Sequence, residues 1–368
     1  MLRLVTGAMV GVALAACSTI STSAPTPTPT QASQSQAADL RTHLDLLLSE
    51  QVMIVAKESA AAVNHSDEYA GYTALLATNS ADLVALFGRA FGTTASAQFA
   101  DTWSIQNSYL VDYAIGVVTH NDAKANGAMS GLTNGFVPQF AQLIRDASHL
   151  PLDPVTQLTS QQVLEDKAFI DDVFAGRHTA YYSDLHRAYV QTSRLGDALA
   201  AQIAQDFPDR FAGDPATHLV DMRVSLNELL QEHSYLATMA TDAVIAGRDA
   251  EKAAAVAALT ANADMLGTAY SAAFGNTAGT QFDKVWAARD TAIVGYASGD
   301  AAAKVSLTDT FVNAFAPLAR AAKSRVASQV DATLKVIDDQ RAKSAGAIAG
   351  DDRAAAALME AIGDSLQG

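Results

Sequence analysis

The sequence predicts an all-α protein built as two tandem helical bundles of about six helices each. Three observations carry that prediction. Beyond residue 38, apolar residues recur at three- and four-residue spacing in segments rich in Ala and Leu, and no run alternates as a half-buried strand would. Helix-stopping signals punctuate these segments at Gly92, Gly176, Gly247, Gly275 and the pair Phe207-Pro208. The chain also repeats itself. Ala90-Phe91-Gly92 with Phe99, Trp103 and Tyr113 returns as Ala273-Phe274-Gly275 with Phe282, Trp286 and Tyr296, an offset of 183 from Trp103 to Trp286. Leu132-Thr133 with Phe136 and Phe140 returns as Leu307-Thr308 with Phe311 and Phe315. Ile170-Asp171-Asp172 returns as Ile337-Asp338-Asp339, and Gly196-Asp197 as Gly363-Asp364, at an offset of 167. The order is kept while the offset shrinks, so the second copy is complete and has shorter loops.

Residues 1–16 read as a lipoprotein signal peptide. Arg3 gives a positive start, the thirteen residues from Leu4 to Ala16 form an apolar run, and Leu14-Ala15-Ala16-Cys17 has the small-residue pattern of a lipidation site. The run is shorter than the roughly 20 apolar residues that span a bilayer. Cys17 is the only cysteine, so the chain forms no internal disulfide, and the thiol is expected to carry the lipid that holds the protein at the extracytoplasmic face of the cell envelope. Residues 17–38 continue as a Ser/Thr/Pro/Gln tract without charge, too polar to build a core and suited to an extended spacer.

The first bundle is assigned to residues 39–212 and the second to 213–368. Leu44, Leu47, Leu48, Val52 and Val55 open the first with an apolar stripe, and Tyr182, Leu185, Tyr189, Leu195, Leu199 and Ile203 close it with another. The pattern breaks at Phe211-Ala212-Gly213-Asp214-Pro215, which sets the boundary. Pro138 and Pro317 interrupt helical stretches and are expected to kink or break them. Each tryptophan is expected to be buried beside its own tyrosine, Tyr113 or Tyr296.

Charge narrows the partners. With 24 basic against 39 acidic residues the chain carries a net charge of −15, which argues against nucleic acid and against docking on anionic lipid through a basic face. The expected membrane contact is the N-terminal lipid alone. No Gly-x-Ser-x-Gly, His-Glu-x-x-His, phosphate-binding loop or dinucleotide fingerprint is present. His178 and His186, eight apart, read most simply as solvated or partly packed side chains.

Certain polar residues nevertheless fall in apolar stripes, where each needs a partner. In the first bundle these are Gln51, Asn79 and Gln106, with Gln191 further along; at the corresponding places in the second stand His233, Asn262 and Arg289. Two readings stay open: a structural network that fixes helix register, and a small ligand or metal site inside the bundle. Amides are poor transition-metal ligands, and Arg289 repels a cation, so no metal or other cofactor is expected. A buried Arg needs an anion. Glu232, beside His233, points about 100° away around its helix and is expected to serve only from the rim, which leaves an internal carboxylate or a small anionic ligand.

Leu229-Leu230-Gln231-Glu232-His233, the Trp103–Tyr113 segment with Val111-Asp112-Tyr113, and Gly196-Asp197-Ala198-Leu199 followed by Phe207-Pro208-Asp209-Arg210-Phe211 are similar to a family of exported bacterial helical proteins often named copper-amine-oxidase-like. The resemblance covers most of residues 40–367. It implies histidine at the places held here by Gln51, Gln106 and Gln191; this chain keeps one at His233 and has Arg289 at another, so a His-based site implied by the family is lost in the first bundle and incomplete in the second. The oxidase name does not imply oxidase chemistry, because the Asn-Tyr pair from which those enzymes make their quinone is absent. The expectation is a non-enzymatic binding or envelope-interaction module, with a small anionic ligand or an envelope protein as partner. The alternative is a helical metal or cofactor protein using the polar cluster of the second bundle.

Overall fold

The computed structural model describes residues 33–366, so the expected signal peptide, Cys17 and most of the expected spacer lie outside the described residues. Within them all regular structure is helical, without strands. Six helices form the first half: α1 Gln36–Val63, α2 Tyr69–Phe91, α3 Thr93–Val118, α4, α5 Leu152–Phe174 and α6 His178–Asp206. Here α4 is one rod made of Asp122–Ser130, a π-helical turn Gly131–Phe136, and Val137–Ser148. The second half runs α7 His218–Ile245, α8 Asp249–Phe274, α9 Asn276–Ala297, α10, α11 Lys323–Ala342 and α12 Ala345–Ser365, with α10 made of Ala301–Val305, the π turn Ser306–Phe311, and Val312–Leu318. No described helix is long and apolar enough to cross a membrane.

Helix stops follow the sequence signals. Gly92 and Gly275 take φ of 87° and 89°, and Gly176 and Gly247 take 65° and 67°, the left-handed region in which only glycine is unstrained. Pro138 does not break the rod: it follows the π turn directly, at the start of Val137–Ser148. Pro317 lies inside its helix, one residue before the helix ends. The irregularity lies just before Pro138, in the π turn, and the second half has the same π turn with Asn313 in the matching place. The register shift therefore does not need proline. Each π turn brings a phenylalanine, Phe136 or Phe311, against the tryptophan of α3 or α9, with centroids 6.4 and 6.0 Å apart. Trp103 and Trp286 are buried, and their stacked partners are Phe99 and Phe282, each 5.1 Å away. The tyrosines do other work: the Tyr113 and Tyr296 hydroxyls donate to Asp171 and Asp338 on α5 and α11, which gives the repeated Ile-Asp-Asp motif its physical reason.

Residues 36–38, assigned to the spacer by composition, belong to α1. Ser35 caps that helix by accepting from the Ala38 N–H, and Ala37 and Ala38 are fully buried. The Ala37 N–H bonds to the Ala212 carbonyl at 3.2 Å, tying the start of the first half to the link between halves. Gly213, φ 114°, lies so close to Ser35 that a Cβ there would stand 2.3 Å from its hydroxyl oxygen.

The two halves are not separate bundles side by side. A single apolar core runs through both, with α1 against α7, α6 against α8, and α12 against α2. The polar contacts across this junction come in matched pairs. Arg41 bonds to Asp197 of its own half and Asp221 of the other; Arg223 bonds to Asp364 of its own half and Asp39 of the other. At Gly196 and Gly363, helix 6 of each half admits a side chain of helix 1, Asp45 or Asn227, into space that a Cβ would occupy.

Candidate functional site

The stripe residues are buried as the periodicity demands: Gln51, Asn79, Gln106, Gln191, His233, Asn262 and Arg289 all lie in the interior, and so does Glu232. In the second half the Asn262 amide nitrogen donates to the Leu229 carbonyl at 3.2 Å and to Glu232 at 2.8 Å. Its oxygen therefore faces His233, which donates from Nδ1 at 2.9 Å. The other ring nitrogen, Nε2, lies 2.9 Å from the Asp290 carboxylate and 3.1 Å from the Trp286 indole nitrogen. Arg289 reaches the same Asp290 oxygen at 3.2 Å, and its guanidinium lies over the Trp286 and Phe311 rings at 5.0 and 5.7 Å. Burial pulls its pKa below the usual value, and Asp290 pulls it back.

One expectation is corrected here and one open alternative is resolved. Glu232 is not a rim residue; it is buried and accepts from His186 of α6 at 2.8 Å. It does leave its own bundle's interior, but the other half covers it. Glu50 repeats the arrangement, taking the Asn79 amide at 2.9 Å and Arg353 of α12 at 3.0 Å, with the Tyr235 hydroxyl at 2.9 Å. The His186–Glu232 bond raises the histidine's pKa. The open alternative concerns the anion, an internal carboxylate or a small ligand. Arg289 has its carboxylate in Asp290, and the space between Arg289, Gln329 and Thr333 admits no water-sized molecule, so there is no room there for a small anionic ligand. Nε and Nη2 of Arg289 and Oε1 of Gln329 are left without hydrogen-bond partners.

In the first half Gln51 donates to Asn107 at 2.8 Å and Asn107 to Ser80 at 2.9 Å. Gln106 is turned elsewhere, its Oε1 buried and unpaired. The residue that meets helix 1 is thus the next one along, Asn107 or Asp290, which is only partly buried and so shows no stripe signal in sequence. Gln191 does not join this network. It lines a groove between α5 and α6 with His186 and Arg187.

A different constellation lies where the halves meet at the C-terminal end of α1. Lys57 and Asp352, 6% and 0% exposed, form an ion pair. Thr238 accepts from Lys57 and donates to the other Asp352 oxygen, both at 2.7 Å, and the Tyr72 hydroxyl donates to Asp352 at 3.0 Å. Four helices, α1, α2, α7 and α12, contribute one polar group each. Above this floor opens a cleft of about 490 Å3. One wall carries Glu68 and the α1–α2 loop. The opposite wall carries Asp242, Glu251 and Arg248, with Arg248 paired to both acids, and Lys343 closes an end. Burial, then the nearby Asp242, pushes the Glu68 carboxyl up to about 7, while Lys57 and Arg248 oppose the shift.

Comparison with protein-family models, curated proteins and solved structures gives no match.

The cleft was not visible in sequence. Lys57 and Asp352 are 295 positions apart, and their matching positions in the other half are Met239 and Leu185, so the internal repeat gave no cue. The only local signal is a lysine within the α1 stripe region. Among the described residues, no group of three or more His, Cys, Asp or Glu side chains converges so as to hold a metal ion.

Proposed function

We propose that the protein is a lipid-anchored, extracytoplasmic, non-enzymatic binding module whose ligand occupies the cleft between its halves. The observation that carries this reading is the state of that cleft. Its floor is an ion pair already satisfied by Thr238 and Tyr72, whereas its walls present Glu68 and Lys343, which have no ion-pair partner among the described residues. Clefts at the meeting of two halves, with a few convergent polar groups, are common ligand sites. Walls bearing both signs of charge suit a small zwitterion such as an amino acid or short peptide. The resemblance to exported helical proteins and the signal-like N-terminus support the envelope location.

Two experiments test this. Cys17→Ala is expected to abolish lipid labelling and membrane fractionation while leaving the helical circular dichroism unchanged; a variant that stays membrane-bound at its mature size overturns the anchor. For the cleft, amino acids and short peptides are screened by melting temperature against the purified chain. A ligand at a hundredfold excess over its Kd stabilises by about 2.7 kcal/mol. Ala246→Trp, a solvent-exposed cleft position, is expected to abolish that shift without changing the unliganded melting temperature. No shift with any member of the panel, or a shift that survives Ala246→Trp, overturns the reading.

A further inference from the structure

A second hollow, of about 390 Å3, lies on the first half among α1, α2, α3 and the end of α5. Its wall is mainly apolar, with Val55, Leu76, Leu110 and Phe174 inside and Ile115 and Val118 at the edge. The last two are 38% and 37% exposed, large side chains left uncovered. One acid faces this space. Glu58 is 4% exposed and accepts from the Thr73 hydroxyl at 2.6 Å. Four other deep carboxylates have a base: Asp352 has Lys57, Glu232 has His186, Glu50 has Arg353 and Asp172 has Arg177; Asp166 also lacks one but does not line this hollow. Among the described residues no ion pair reaches Glu58.

The other half shows that the fold does not require this acid. At the offsets of helices 1 and 2, Glu58 and Thr73 correspond to Ala240 and Val256, and Ala240 is fully buried in plain packing. Burying a carboxylate without a cation costs several kcal/mol, and burial does push the Glu58 carboxyl up, with the Thr73 and Tyr69 hydroxyls opposing it. The missing component is a positive charge that arrives with an apolar body.

We propose that this hollow binds a small hydrophobic primary amine, its ammonium paired with Glu58 and its hydrocarbon chain laid along Val55, Leu76, Leu110 and Phe174. Tyr69, Ser66 and His65 form the polar edge at which the head group is held. The volume falls in the range of small-ligand pockets, roughly 300–1,000 Å3. The site shares Ala61, His65 and Ser66 with the junction cleft, which opens on the other side of the α1–α2 loop, but it does not depend on the reading given to that cleft.

The test is calorimetric titration of the purified full chain at pH 7.5 with n-hexylamine, hexan-1-ol and hexanoate. The amine is expected to bind at least about tenfold tighter than the alcohol, as a charge-assisted bond to a buried acid requires, and hexanoate not to bind. Glu58→Gln is expected to erase the preference for amine over alcohol while keeping the alcohol's affinity. Ala114→Phe, which fills the hollow, is expected to abolish binding of both, and guards against a Glu58→Gln variant that fails to fold. Ala246→Trp leaves all three titrations unchanged. The proposal is overturned if amine and alcohol bind the parent equally or neither binds, if the preference survives Glu58→Gln, if Ala114→Phe still binds the amine, or if Ala246→Trp removes amine binding.

Discussion

Lys57→Met is expected to lower the unfolding free energy by about 3–5 kcal/mol, the range for breaking a buried ion pair from one side. The loss comes from what remains. Asp352 is fully buried, and without the ammonium its carboxylate keeps only the neutral hydroxyls of Tyr72 and Thr238. Lys57 also lies over the Tyr72 and Tyr235 rings at 5.3 and 5.7 Å, contacts that a thioether replaces in part. Since the pair joins α1 to α12, the cost falls on the contact between halves as well as on the first half. The double variant Lys57→Met/Asp352→Leu removes both charges and is expected to recover most of the loss, because a buried pair exchanged for apolar residues of similar size is often neutral or stabilising. Urea unfolding at constant m-value measures both. A single variant within 1 kcal/mol of the parent, or a double variant no better than the single, contradicts the arrangement.

The fold class was legible because helical periodicity and glycine stops are local. The inward phase of the polar stripe was legible for the same reason, and the seven residues placed in apolar stripes are buried. Partner identity was not. Asp290 and Asn107 sit at the stripe's edge, so periodicity alone gives no reason to choose them over the more central Arg289 and Gln106. Glu232 was misjudged for a related reason: one helix's rim is only a rim until another element covers it, and α6, bearing His186, covers this one. The repeat located equivalent residues but said nothing of how the halves meet. That knowledge turned Arg41, Asp197, Arg223 and Asp364 from scattered surface charges into one reciprocal set. The junction cleft depends wholly on this meeting, and none of its chemistry lies within a single sequence segment.

The other large effect is expected at Asp166, and it follows from a comparison of the halves. In the second half Arg289 of α9 shares a small space with Gln329 and Thr333 of α11. The corresponding trio in the first half is Gln106, Gln162 and Asp166: the second half has a base without an acid on the facing helix, and the first has the acid without the base. Asp166 is buried and held only by the Gln162 amide at 2.7 Å, and burial pushes its carboxyl from the ordinary 3.8 up to about 7. The folded state therefore binds this proton more tightly than the unfolded one, so the contribution is fully present below about pH 4, declines as pH rises, and is lost above about pH 7. A tenfold change in proton affinity is worth about 1.4 kcal/mol, which puts the whole decline on the order of 4 kcal/mol. Asp166→Asn cannot ionise, and its amide is able to donate to Gln162 Oε1, which is now buried without a partner. The difference in unfolding free energy between variant and parent isolates this group from the other buried acids. It is expected to be near zero at pH 4 and to grow to as much as about 4 kcal/mol in the variant's favour at pH 8. Gln106→Arg, which supplies the base instead, is expected to narrow the parent's pH dependence by drawing the carboxyl back toward its ordinary value. A difference that is flat between pH 4 and pH 8 rules out the buried, protonated Asp166.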